Sequence, residues 1–135
     1  MGFDLLRPGL QGEKRLRVEA IHSARHLGSG NVEVFATPEL VRLMEQASVA
    51  AVDHLLPEGH RTVGTSVEIR HLAATPVGMN VVARSEVLAV DGRRITFRVE
   101  AYDERELIGE GTHERFVIDL ARFGARVKAK AADLS

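Results

Sequence analysis

With 135 residues, 44% of them apolar, the chain is long enough for one compact domain with a real core and too apolar for wholesale disorder. Its 18 Lys and Arg against 19 Asp and Glu leave a net charge of −1, without the basic excess expected of a general nucleic-acid binder. The absence of cysteine excludes disulfides, thiolate metal sites and cysteine nucleophiles, and the lack of tryptophan with a single tyrosine argues against base stacking.

The opening segment MGFDLLRPGL carries Asp4 and Arg7 and no long apolar run, so it does not read as a secretory signal. No stretch approaches the ~18 apolar residues of a membrane span. A cytoplasmic protein with no membrane and no nucleic-acid partner is the expectation. We read 1–135 as a single domain, with an irregular arm over 1–12, broken by Pro8 and Gly9, and a basic tail over 121–135.

Residues 13–21 alternate, with Leu16, Val18 and Ala20 on one face and Arg15, Arg17 and Glu19 on the other, which predicts a half-buried strand. Residues 22–35 contain Gly28, Ser29, Gly30 and Asn31 in a row, a composition that cannot fill a core and reads as a mobile or ligand-facing loop. A helix follows from Thr37 to about Leu55. Thr37 is placed as its N-cap, Pro38 at the first helical position and Glu39 in the first turn, and Pro57 and Gly59 stop it. Leu40, Met44, Ala47, Ala51 and Leu55 form one stripe, while Val41, Val49 and Val52 add a second apolar side. A helix apolar around most of its girth must be enclosed on several sides.

Period-two patterning then returns. A strand at 66–70 places Val67 and Ile69 on one face, and the segment HLAATPVG breaks it. Strands are predicted over 79–90, over 95–101 and over 107–118, the first two joined at an Asp91-Gly92 hairpin turn. One long helix held by a curved, largely antiparallel sheet is an α+β hot-dog arrangement, with an α+β roll of another strand order as the alternative. The single helix covers part of one sheet face, so exposed edges and faces imply a homodimer, with a tetramer as a second option.

Glu45 lies within LVRLMEQASVAAV, where burying a carboxylate costs several kcal/mol unless it is paired. It is read either as an ion-pair partner of Arg42, three residues earlier, or as a catalytic carboxylate in a partly dry cleft. Thr37 stands about 12 Å from it along a helix path, so a direct bond between them within one helix is not expected. His71 ends the strand VEIRH before the break and can exchange protons near neutral pH; a structural histidine is the alternative. Gly64 allows close backbone approach and its N–H can serve a developing oxyanion. Arg115 can pair with Glu110, Glu114 or an acidic ligand. His22, His26, His54, His60 and His113 carry weaker signals, and no metal site is expected from their spacing.

The segments VFATPELVRLMEQASVAAV, VGTSVEIRHLAATPVG, VDGRRITFRVEAYD and GEGTHERFVIDLARF, spanning 35–123, resemble the fluoroacetyl-CoA thioesterase-like family of hot-dog proteins. The resemblance implies a homodimeric acyl-CoA thioester hydrolase with no metal and no cofactor, coenzyme A being part of the substrate. It places catalytic roles on Thr37, Glu45 and His71, and substrate-binding roles on Gly64 and Arg115, at a site shared between subunits. The loop before the helix departs from what a fluoroacetyl-specific site needs, since Gly28, Ser29, Gly30 and Asn31 offer no bulky apolar closure. Thioesterase chemistry is therefore expected without fluoroacetyl selectivity. A non-catalytic acyl-CoA or small-ligand binding module, and a dehydratase or hydratase on the same fold, are the alternatives.

Overall fold

The structure, a computed structural model, describes residues 3–28 and 30–134. Five strands form one antiparallel sheet: β1 (Gln11–Arg17), β2 (His60–His71), β3 (Asn80–Asp91), β4 (Arg94–Tyr102) and β5 (Leu107–Asp119), in the spatial order β1-β3-β4-β5-β2. Three helices accompany it: α1 (Ala24–Leu27), α2 (Thr37–Val52) and α3 (Leu120–Ala131).

Alternation decides the sheet. In β4, Ile95, Phe97, Val99 and Ala101 are fully buried while Arg94 and Arg98 face solvent. The expected hairpin is present: Asp91 pairs with Arg94 across Gly92 and Arg93, and Gly92 takes the positive φ of 61° that favours glycine. At the other end, the Asp103 carboxylate accepts from the backbone N–H of Arg105 and Glu106 and folds the β4–β5 turn.

α2 lies across the inner face of the sheet and buries Leu40, Leu43, Met44, Ala47, Ser48, Ala51 and Val52. Each large apolar side chain so placed is worth about 1.5–3 kcal/mol. At Gly12 of β1 the helix touches the strand backbone: a Cβ there would sit 2.1 Å from the Ala47 carbonyl oxygen and 2.5 Å from the Ala51 nitrogen. Val41 and Val49, expected to be enclosed, are only half-buried, as are Glu45 and Gln46. This side of α2 has little of its own chain over it.

Several expectations need correction. β1 begins at Gln11, inside the stretch read as an arm, and stops at Arg17 rather than continuing to Ile21; a 3-10 turn follows at Ala20–His22. The loop 22–35 contains the one-turn α1 and doubles back through bonds from Ala24 N–H to Val34 O and from Arg25 N–H to Val32 O. Phe35 anchors its end in the core. Gly28, Gly30 and Asn31 at its tip are exposed, and Ser29 lies outside the described residues. Thr37 is not the N-cap. Ala36 holds that position without a side-chain bond, and Thr37 opens the helix with its hydroxyl directed elsewhere. The tail forms the helix α3, capped by Asp119, whose carboxylate accepts from the N–H of Arg122.

The Gly12 contact makes a stability prediction. Gly12→Ala forces a methyl group into helix backbone and is expected to lower the unfolding free energy by at least about 1–3 kcal/mol, the scale of overpacking. Urea unfolding monitored by circular dichroism checks this; a loss under 0.5 kcal/mol (well below that ~1–3 kcal/mol scale) means that the helix can lift from β1 freely.

Candidate active site

The candidate residues come together along the boundary between α2 and β2, in two groups. At the start of α2 the Thr37 hydroxyl lies 2.7 Å from Nδ1 of His71, the last residue of β2. The other ring nitrogen, Nε2, is buried with no hydrogen-bond partner among the described residues. Burial lowers the His71 pKa below its ordinary value, so the ring sits neutral with one open nitrogen near neutral pH.

Two turns further along α2, Glu45 meets Gly64. A Cβ on Gly64 would lie 3.1 Å from Glu45 Oε2, 3.2 Å from His113 Cε1 and 3.4 Å from Arg115 Nη1. The missing side chain thus leaves a narrow slot, already tight for a methyl group, bordered by a carboxylate, an imidazole edge and a guanidinium. Among the described residues no hydrogen bond or ion pair ends on the Glu45 carboxylate. The alternative pairing with Arg42 is not formed: Arg42 reaches Glu39, at 3.7 Å. A cleft of about 570 Å³ opens here, lined by Lys14, Arg42, Glu45, Gln46, Val49 and Arg115.

A β-bulge puts both groups on the helix side of β2. Gly64 pairs with Arg115 and Ser66 pairs with Glu114, so Thr65 is the extra residue. Gly64 and His71 are seven positions apart, an odd number, and in a regular strand they would face opposite sides. After the bulge the phase has switched: His71 lies opposite Gly109, on the same face as the pairing of Gly64 with Arg115.

Arg115 is 7% exposed and forms no surface ion pair with Glu110 or Glu114. Its Nε and Nη2 donate to Thr62 Oγ1 and to Thr62 O at 2.8 and 2.9 Å, and its Nη1 lies 3.1 Å from His113 Nε2. Burial lowers its pKa, opposed by the charges of Asp53 and Glu45. Sequence reasoning gives His113 only a weak signal and passes over Thr62. A stronger signal is available for His113: in THERFV, His113, Arg115 and Val117 fall on one face, so two polar residues occupy core positions.

The chain does not bring the two groups together. Thr37 and Glu45 are eight residues apart on α2, about 12 Å. Among the described residues no three His, Asp or Glu side chains are placed to hold a metal ion.

A long helix laid along a curled five-stranded antiparallel sheet is the architecture of hot-dog proteins. A hot-dog-like protein from Thermanaerovibrio acidaminovorans superposes with a TM-score of 0.88 at 27% identity, over 96% of this chain and 97% of that one. A solved fluoroacetyl-CoA thioesterase superposes with a TM-score of 0.86 at 40% identity, over 93% and 97% of the two chains. The fluoroacetyl-CoA thioesterase of Streptantibioticus cattleyicolor is 47% identical over 98 residues, 73% of this chain and 70% of that protein. The model of the fluoroacetyl-CoA-specific thioesterase family matches residues 18–121, and the chain belongs to that family.

The buried histidine predicts a pH dependence. Because burial depresses the folded-state pKa of His71, its contribution to stability is complete above the ordinary value of about 6.5 and is lost as pH falls through the lower folded value. The His71 ring resonance should titrate below that value by NMR. The unfolding free energy should fall more steeply with acidification in the unmodified protein than in His71→Gln; equal slopes would remove His71 from the account.

Proposed function

We propose that the protein hydrolyses coenzyme A thioesters of short acyl groups, as a cytoplasmic homodimer that uses no metal and no cofactor. The observation that carries this reading is the meeting at Gly64, where the absence of a Cβ lets a carboxylate with no partner among the described residues and a buried guanidinium come together at the edge of the cleft. Membership of a family described by thioesterase activity supports it. So do Lys14 and Arg42 at the cleft, which suit the phosphates of coenzyme A.

In this reading the acyl group enters the cleft between Glu45 and Arg115, beside Gly64, and Glu45 drives attack on the thioester carbon. It does so as the base that takes a proton from water, the C–S bond then breaking to expel the coenzyme A thiolate, or by attacking the carbon itself and displacing that thiolate to give an anhydride that water then opens; in both routes the thiolate takes up a proton and leaves as the free thiol. Arg115 and the Gly64 N–H face the acyl end. Thr37 and His71 orient and move protons, and the buried Nε2 of His71, without a hydrogen-bond partner among the described residues, is the ring atom left to take part.

The dimer follows from two uncovered surfaces. Among the described residues β2 is an edge strand of 12 residues paired only with β5, and the Val41, Glu45, Val49 side of α2 is half-buried. A two-fold axis between Val67 and Glu68, toward the His71 end of β2, pairs the strand antiparallel with its copy. Gly64 of one protomer then stands across from His71 of the partner subunit, so the two groups separated within one chain converge between chains. The alternatives, a binding module or a hydratase, release no thiol.

Glu45→Gln keeps size and hydrogen bonding while removing the base or nucleophile, and is expected to lower kcat for thiol release by about 10²–10⁴-fold with the fold retained. Mixing it with inactive His71→Gln after unfolding and refolding together should restore about a quarter of the activity, because half the dimers are mixed and hold one intact shared site. No restoration would place each site within a single chain. In the same assay acetyl-, fluoroacetyl- and propionyl-CoA should be discriminated only modestly, about 10–200-fold per small change in the acyl group. The exposed Gly28 and Asn31 supply no apolar lid, and a preference for fluoroacetyl-CoA above roughly 10³-fold, beyond that range, would overturn this reading of the loop.

A further inference from the structure

Arg115 is a buried cation that makes no ion pair among the described residues; its three hydrogen bonds all go to neutral acceptors. A guanidinium has five N–H groups. Here three are engaged: Nε–H with Thr62 Oγ1, one Nη2–H with Thr62 O, and one Nη1–H with His113 Nε2. Two remain, one on each terminal nitrogen, and Nη1 borders the Gly64 slot.

The acceptors are themselves held. Thr62 donates its hydroxyl to Asp53 Oδ1 and its N–H to Asp53 Oδ2, which leaves the Thr62 oxygen free to accept from Arg115. Asp53 is the residue at which α2 ends. His113 is 2% exposed, stacked on Phe97 with ring centroids 5.9 Å apart, and its Nδ1 lies 2.8 Å from the carbonyl of Ser66. A carbonyl cannot donate, so Nδ1 carries the proton; Nε2 is then the acceptor, which matches its approach to Arg115, a group that can only donate. The neutral ring in this one tautomer satisfies both contacts. Ser66 is the first residue after the bulge in β2, so the same histidine ties the Arg115 guanidinium to the backbone that shapes the slot.

We propose that His113 is the positioning residue of the acyl slot: as a neutral acceptor, together with Thr62, it fixes the plane of the Arg115 guanidinium so that its unused N–H groups face the acyl end of the substrate. The thioesterase reading supplies only what Arg115 faces; the hydrogen-bonded relay from Asp53 through Thr62 to Arg115, and from Ser66 through His113, is independent of it. His113 does not touch the substrate and acts through Arg115.

The test compares His113→Gln, which can offer Oε1 as an acceptor, with His113→Leu, which fills volume without one. Two readouts are used. By nitrogen-15 NMR, the Arg115 Nη protons are resolved only while rotation of the terminal groups is arrested. They should be visible in the unmodified protein and in His113→Gln and lost in His113→Leu, whether or not any thioester is hydrolysed. In thiol release from acetyl-CoA, His113→Leu should lose about 10²-fold in kcat/KM, the effect expected of a misplaced guanidinium, with His113→Gln recovering most of it. In an Arg115→Met background, His113→Leu should cost nothing further, since a residue that acts through another cannot be lost twice. Equal damage from Gln and Leu, additive losses in the double variant, or Nη signals unchanged in His113→Leu would each overturn the proposal. If the unmodified protein releases no thiol from any short acyl-CoA, the thioesterase reading falls and the NMR comparison still decides the role of His113.

Discussion

The seating of α2 on the inner face of the sheet is the contact on which everything else depends. At Gly12 the helix backbone rests on strand backbone with no side chain between them. Helices packed on sheets are normally held off by interdigitated side chains, and here one small residue lets the helix sink. From that depth, Leu40, Leu43, Met44, Ala47 and Ala51 reach the strands, and Glu45 on the flank of the helix comes level with β2. A helix held a side chain's thickness higher would keep the same core composition and carry Glu45 away from Gly64.

β2 answers that placement with an irregularity. A strand of period two can aim Thr62 and Gly64 at the helix, or Val67 and His71, but not all four. The extra residue at Thr65 resolves the conflict. The bulge costs the ladder one pairing and gives the helix two polar contacts, one at each end of the strand. Thr37 shares in this arrangement. Its hydroxyl meets His71 and so does not cap α2, and the helix begins with Ala36 in the capping position, which leaves an N-terminal donor without its usual side-chain partner.

The electrostatics follow one logic across both groups. Both histidines are neutral by burial, and in each the Nε2 atom has a distinct role. Nε2 of His71 is open, and Nε2 of His113 receives Arg115. For His113, desolvation outweighs the carbonyl of Ser66 and the charge of Glu45, and the adjacent guanidinium also disfavours a second positive charge. Glu45 and Arg115 stand on two sides of the Gly64 slot without forming an ion pair. Opposite charges kept apart in a partly dry cleft retain the ability to act on a third group placed between them.

The sequence by itself determined the helix, most of the strands and the residue types at the site. Strict alternation in 95–101, the Asp-Gly turn, and proline and glycine beyond α2 are local signals, and local signals survive in one dimension. Glu45 was legible as an out-of-place carboxylate, and Gly64, His71 and Arg115 through resemblance and strand position. The tertiary structure alone decided what these residues touch. The bulge at Thr65 has no marker in the sequence, because a β-bulge depends on the partner strand's register. Thr37 reads as a cap from its neighbours, yet a residue 34 positions away takes its hydroxyl. His113 was one of six histidines until the fold stacked it on Phe97 and set it against Arg115. Periodicity fixes which face a side chain occupies; which neighbours share that face depends on chain closure over long separations, and no local pattern encodes it.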